Sequence, residues 1–260
     1  MIKNILVTRP MSQGEALCTQ LRKLNYSVDH VSVMEVEALG TPEQQLAIEK
    51  IFSRITTYHG IILVSINAAE QALPWLKKYP HARTTKILSV GKTTASYYND
   101  NHVHDSRVIY PRQDMSSEGL LAMYELQAEE VRGRRYLILR GVGGRELIAQ
   151  TLRERGAHVD SCELYSRYLP EKNAAALQKC LPRVDTIIVN SGEALENLLT
   201  LVGTPSQDVV NGNLLEKTLV VPGERVAEAA RKTGFRHIIT AANATDDAVI
   251  EALSRQADIL

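Results

Sequence analysis

The chain repeats itself, and the repeat limits its fold more than any other feature. Placing Asn4-Ile-Leu-Val-Thr-Arg9 over Arg135-Tyr-Leu-Ile-Leu-Arg140 aligns the sequence with itself, without a gap, as far as Met34 over Tyr165. Leu6, Arg9, Glu15, Leu21, Arg22, Val28 and Asp29 then fall on Leu137, Arg140, Glu146, Leu152, Arg153, Val159 and Asp160. Downstream, Ile62–Ser65 returns as Ile187–Asn190, Ile87–Ala95 as Leu219–Ala227, and Val108–Tyr110 near His237–Ile239. Ser116–Leu120 returns as Thr245–Val249, a capping-type helix start in both copies. The chain is a tandem pair of related halves, roughly 1–130 and 131–260.

Each half alternates short β-branched runs with helical patterns of about ten to fifteen residues, the signature of βαβ units and a parallel sheet. Two similar doubly wound α/β domains follow. Ligands of such sheets bind beyond the carboxyl ends of the strands. With two sheets, the cleft between them is the expected place.

The strand ends carry the chemistry. They read Thr8-Arg9, Ser65-Ile-Asn67, Gly91-Lys-Thr-Thr94, Arg140 to Arg145, Asn190-Ser-Gly192 and Gly223-Glu-Arg225. Hydroxyls, cations and glycine-exposed amides of this kind suit a large, multiply anionic ligand. The most pronounced is Arg140-Gly-Val-Gly-Gly-Arg145, read as a strand, a glycine turn and an amphipathic helix opening at Arg145 and stopped by Gly156. Unpaired amides at a helix start favour an anion, and two arginines there can each hold a carboxylate bidentately. The plain alternative is structural, with a strand-end arginine pairing with Glu146. Lys92, Thr93 and Thr94 also fit a simple helix cap, and Ser191 has the same ambiguity. Tyr165 fits a half-buried core position as well as a proton donor. A dinucleotide turn would need glycine at Glu146, although Asp160 stands at about the right distance.

Bulk properties narrow the function. Thirty basic and thirty acidic side chains cancel, so nothing global argues for nucleic acid or an anionic membrane. The longest apolar runs are too short to span a bilayer, and the N-terminal stretch lacks a signal-type apolar segment, so a cytoplasmic location is expected. Cys18, Cys162 and Cys180 read as reduced and buried. His102 and His104, within Asn99–Asp105, read as part of a surface turn; no metal site is expected. No Walker loop, nucleophile elbow or Ser/His/Asp order appears.

Taken together, Ile5-Leu-Val-Thr-Arg-Pro10 with Gly14 and Leu21, Leu139-Arg-Gly-Val-Gly-Gly-Arg-Glu-Leu147, Glu163-Leu-Tyr165, Val90-Gly-Lys-Thr-Thr94 and Asn190-Ser-Gly-Glu193 resemble the uroporphyrinogen-III synthase family over essentially the whole chain. Asn190 departs from it, standing where a hydroxyl residue is common. The resemblance implies two α/β domains joined by an antiparallel two-stranded ladder, one of 1–36 plus 170–260 and the other of 37–169. It implies closure of linear hydroxymethylbilane, an octacarboxylate, to uroporphyrinogen III with loss of water and inversion of the last pyrrole ring. No metal or organic cofactor is implied. The enzyme is expected to be a monomer, with a transient hand-over of substrate from hydroxymethylbilane synthase. Tyr165 is the implied proton donor. Arg9, Ser65, Asn67, Lys92, Thr93, Thr94, Arg140, Gly141, Gly143, Gly144, Arg145, Ser191, Gly192 and Gly223 are the expected substrate contacts. A non-catalytic two-domain binding protein and a nicotinamide-dependent oxidoreductase are the competing classes.

Overall fold

Alternating apolar runs and helical stretches build two five-stranded sheets, each covered by helices on both faces. The structure is a computed structural model and describes residues 2–101, 108–203 and 214–257. His102 and His104 lie outside the described residues.

The chain divides into two compact units, Met1–Glu35 with Tyr168–Leu260, and Val36–Arg167. In the first, strands β1 (Asn4–Val7), β2 (Ser27–His30), β8 (Thr186–Ile188), β9 (Thr218–Pro222) and β10 (His237–Ala241) lie in the order β10-β9-β8-β1-β2. All of their pairings are parallel. Successive side chains of a strand face opposite ways, so a strand covered on both sides must be apolar throughout. In β1, Leu6 packs into the core with helices α8 (Ala174–Cys180), α9 (Gly192–Val202) and α10 (Glu224–Lys232). Its neighbours Ile5 and Val7 face α1 (Met11–Lys23) and α11 (Asp246–Ala257).

In the second unit, β3 (Glu35–Ala38), β4 (Gly60–Leu63), β5 (Lys86–Ser89), β6 (Arg135–Gly141) and β7 (His158–Tyr168) lie in the order β3-β7-β6-β4-β5. The pairings among β4 to β7 are parallel. Leu137 and Leu139 face α2 (Pro42–Phe52), α3 (Ile66–Lys78) and α4 (Lys92–Asn101). Ile138 faces α5 (Ser117–Ala122) and α7 (Leu147–Glu154); a single turn, α6 (Ala128–Val131), precedes β6. The chain passes between the units at the start of β3 and the end of β7.

The repeat is visible in both units, but the units are not the repeat halves. By the sequence alignment β1 and β2 correspond to β6 and β7, β4 to β8, and β5 to β9. Each sheet therefore takes its first βαβ segment from one half and its remaining strands from the other. The counterpart of β10 in the second unit is a single bridge from Leu88 to Ile109.

Local chemistry repeats as well. Helix α7 ends in Gly156 at φ +87°, with Gly156 N–H bonding Arg153 O and Ala157 N–H bonding Leu152 O. Helix α1 ends the same way on Asn25 at φ +65°, with Asn25 N–H on Arg22 O and Tyr26 N–H on Leu21 O. This left-handed cap satisfies the last carbonyls and tolerates glycine or asparagine.

Two sequence expectations are corrected. Helix α7 opens at Leu147, not at Arg145: Gly144 N–H on Gly141 O closes a turn with Gly143 at φ +68°, and Glu146 is the residue before the helix. Asn99 to Asn101 complete α4 and are not part of a surface turn. The three cysteines are buried and unpaired. Burial pushes the Cys162 thiol up to about 12 and Cys180 up to about 11, which leaves neither as a nucleophile at neutral pH. No described helix is long and apolar enough to cross a membrane.

Candidate functional site

Parallel pairing sends the carboxyl ends of a unit's strands to one edge, and the polar turns of the sequence collect there. In the second unit this edge is organised around Tyr165. The register of β7 on β6 skips a residue, so Arg140 faces Glu163 while Gly141 faces Tyr165. That bulge turns the Tyr165 ring onto Gly141, where a Cβ would come within 2.6 Å of Cε2. Tyr165 is 3% exposed and belongs to the core of its unit. Its hydroxyl lies 2.9 Å from Ser65 Oγ. Ser65 caps α3, accepting the Ala68 N–H at 3.1 Å. The structure thus brings Tyr165, Ser65 and Gly141 together, and Asn67 sits buried in the first turn behind them.

The two arginines of the glycine turn have different surroundings. Arg140 is buried, with Nη1 2.5 Å from Glu146 Oε1, an ion-pair contact outside hydrogen-bonding geometry. Its Nη2 donates to Glu163 Oε1 at 3.3 Å, and its Nε has no acceptor among the described residues. The structural reading of Arg140 therefore describes what is seen. Arg145 is exposed and has no ion pair among the described residues. Lys92 and Thr93 are exposed in the first turn of α4, and Thr94 is buried there, so these residues open the helix and do not precede it as a cap.

In the first unit, Arg9 repeats the situation of Arg140. It is buried, it ion-pairs with Asp246 at the start of α11, and its Nη2 donates to Ala244 O at 2.8 Å. Its Nε too is buried without an acceptor among the described residues. Ser191 caps α9 by accepting the Ala194 N–H at 3.0 Å, with the same backbone angles as Ser65. Gly192 opens that helix with free space where a side chain would stand. Gly223 precedes α10 at φ +81° with no side-chain cap, leaving the first amides of that helix open.

Glu163, at the strand-end edge of the second unit, and Asp246, at that of the first, were missed. The alignment of Arg9 with Arg140 was the available signal, since two equivalent buried cations each need an anion. Asp160, the residue a dinucleotide turn would need, lies in β7 beside Leu137, short of the strand ends. It accepts from Tyr58 Oη at 2.6 Å and from Arg135 at 2.8 Å. Those bonds, the Tyr58 one foremost, hold its carboxyl below the usual range, and the dinucleotide reading has no acidic partner.

The fold and the strand-end edges, one in each unit, define a doubly wound two-unit α/β protein. The first unit's edge presents the uncapped start of α10, the second's an exposed arginine without an ion pair among the described residues and a phenol–hydroxyl pair. A family model described as uroporphyrinogen-III synthase HemD matches residues 15–251. The chain belongs to the uroporphyrinogen-III synthase family. It is 35% identical over 257 residues to the uroporphyrinogen-III synthase of Escherichia coli K12, covering 96% of this chain and 99% of that protein. The Salmonella typhimurium uroporphyrinogen-III synthase matches with the same identity and coverage. Among solved structures, a mutant uroporphyrinogen III synthase from Thermus thermophilus is similar with a TM-score of 0.63 at 14% identity, over 99% of this chain and 100% of that one. The Helicobacter pylori uroporphyrinogen-III synthetase follows with 0.57 at 16%, over 98% and 100%. At such identities these structures speak to the fold alone.

Proposed function

We propose that this chain performs the reaction of its family, closing hydroxymethylbilane to uroporphyrinogen III with loss of water and inversion of the terminal pyrrole. The family match across residues 15–251 carries this reading. Loss of the bilane hydroxyl gives an azafulvene, which the terminal ring attacks through a spiro intermediate; fragmentation and re-closure deliver the inverted isomer. Unassisted closure omits the inversion, so the protein's main task is to hold one conformation of the chain of rings. The eight carboxylates are the handles for this. Arg145, the exposed Lys92 and Thr93 that open α4, and the open amides at the start of α10 are the groups we assign to them. A proton is needed at the departing hydroxyl, and Tyr165 is the donor we assign.

The steps are redox-neutral and the leaving group needs only protonation, so the reaction as proposed runs without a cofactor. The bilane closes spontaneously, which favours its direct hand-over from hydroxymethylbilane synthase; a cytoplasmic monomer is the form we assign to this chain. The test supplies freshly generated hydroxymethylbilane and resolves the products. Isomer III in excess over isomer I is expected. Isomer I alone, with the bilane bound but not converted, would leave a binding protein.

A further inference from the structure

Ser65 makes two contacts through one oxygen. Its Oγ accepts the Ala68 N–H at the start of the thirteen-residue helix α3, and the same oxygen lies 2.9 Å from the Tyr165 hydroxyl. One lone pair is committed to the helix, leaving the serine proton free to point at the phenol. Accepting from a helix N-terminus polarises that O–H and makes it a better donor. The ring is fixed on its other side by Gly141 and by the bulge in β7, so Tyr165 cannot swing away from this contact.

We propose that Ser65 is a positioning residue for proton transfer, the middle of a relay from Ala68 N–H through Ser65 Oγ–H to Tyr165 Oη. This rests on the reading of Tyr165 as the proton donor. With the serine donating, the phenol's own proton is released from Ser65 and directed at the bilane hydroxyl. As the C–O bond breaks, its electron pair leaves with the oxygen, the phenol proton completes a water molecule, and the pyrrole nitrogen's electrons form the azafulvene as its cation, the N–H retained. Tyr165 is left as phenolate, stabilised by the serine proton and the helix N-terminus. The proton shed when the closing ring regains its aromaticity restores the phenol. Ser65 acts through Tyr165 and need not touch the substrate. Ser191 caps α9 as Ser65 caps α3, although the sequence repeat sets Asn190 over Ser65; the residue aligned with Tyr165 in that copy is Met34, so Ser191 has no aligned phenol to serve.

The test is a double-mutant cycle on kcat with hydroxymethylbilane, read beside thermal stability. Ser65→Ala should lower kcat about ten-fold with KM nearly unchanged, a loss within what positioned acid catalysis contributes. Ser65→Thr should recover most of that rate. Ser65→Asp keeps the helix cap but has no proton to donate and sets a carboxylate against the phenol; it should be as stable as the parent and slower than Ser65→Ala. In a Tyr165→Phe background Ser65→Ala should cost little more. If Tyr165→Phe is slow and Ser65→Ala slows it by the same factor as in the parent, Ser65 acts independently and the relay is wrong. If Ser65→Asp keeps full rate, Ser65 is only a cap. A fully active Tyr165→Phe overturns the donor reading and the relay with it.

Discussion

Gly141 and Tyr165 face each other across the bulged register of β6 and β7, and the tyrosine ring occupies the volume a side chain at 141 would need. The first glycine of the turn is thus the seat of a phenol. Gly141→Ala should force a core ring out of position, costing about 1–3 kcal/mol as overpacking does. It should lower turnover with that shift. Urea denaturation and kcat check the two effects, and unchanged values for both would mean the ring is not seated there.

Arg140 and Arg145 should separate cleanly on mutation. Arg140→Ala leaves Glu163 without its cation and empties a buried position, so stability should fall by about 1–3 kcal/mol; the carboxylates' partial exposure keeps the value toward the lower end. Arg145 is exposed, so Arg145→Ala should change stability by less than about 0.5 kcal/mol while raising KM and weakening its salt dependence. Thermal melts beside kinetics at two ionic strengths decide it. The reverse pattern would return the ligand role to Arg140.

Asp160 gives the acid response a direction. Its carboxyl is held down first by the Tyr58 hydrogen bond and then by Arg135. A depressed folded-state pKa stabilises above the unfolded value of 3.8 and is lost as pH falls through the folded one. Tyr58→Phe should therefore be less stable than the parent at neutral pH, with the difference shrinking below about pH 4. Stability curves at several pH values test this; a gap that widens in acid contradicts it.

The paired helix ends should respond unequally. Gly156→Ala sets a Cβ at φ +87°, 3.2 Å from Arg132 Cγ, and should cost about 1–2 kcal/mol. Asn25 tolerates the same left-handed cap, so Asn25→Gly should stay within about 0.5 kcal/mol of the parent. Equal losses in thermal unfolding would argue against the shared motif.

Much of the local architecture was readable in order. The αL position at Gly156, the serine and threonine helix starts and the apolar strands all rest on near-neighbour chemistry. The start of α7 was misplaced because an arginine after a glycine turn reads as helix, and only the structure shows the turn closing at Gly144 and Glu146 standing at the helix N-cap. The fate of the repeat's two strand-end arginines was equally hidden. A buried guanidinium must find an anion, but sequence spacing does not say that Arg9 reaches Asp246, far along the chain, while Arg140 uses Glu146 and Glu163.

By itself the sequence determined that this protein is a duplicated βαβ architecture with polar turns after its strands, because side-chain periodicity and turn chemistry act over a few residues. Only the tertiary structure decided that β1 and β2 join the strands of the second half, and β6 and β7 those of the first. Equivalent strands present nearly equivalent apolar faces, so periodicity cannot choose between partners from the same half and partners from the other. That choice, with the one-residue bulge in β7, is what sets Tyr165 against Gly141 and within reach of Ser65.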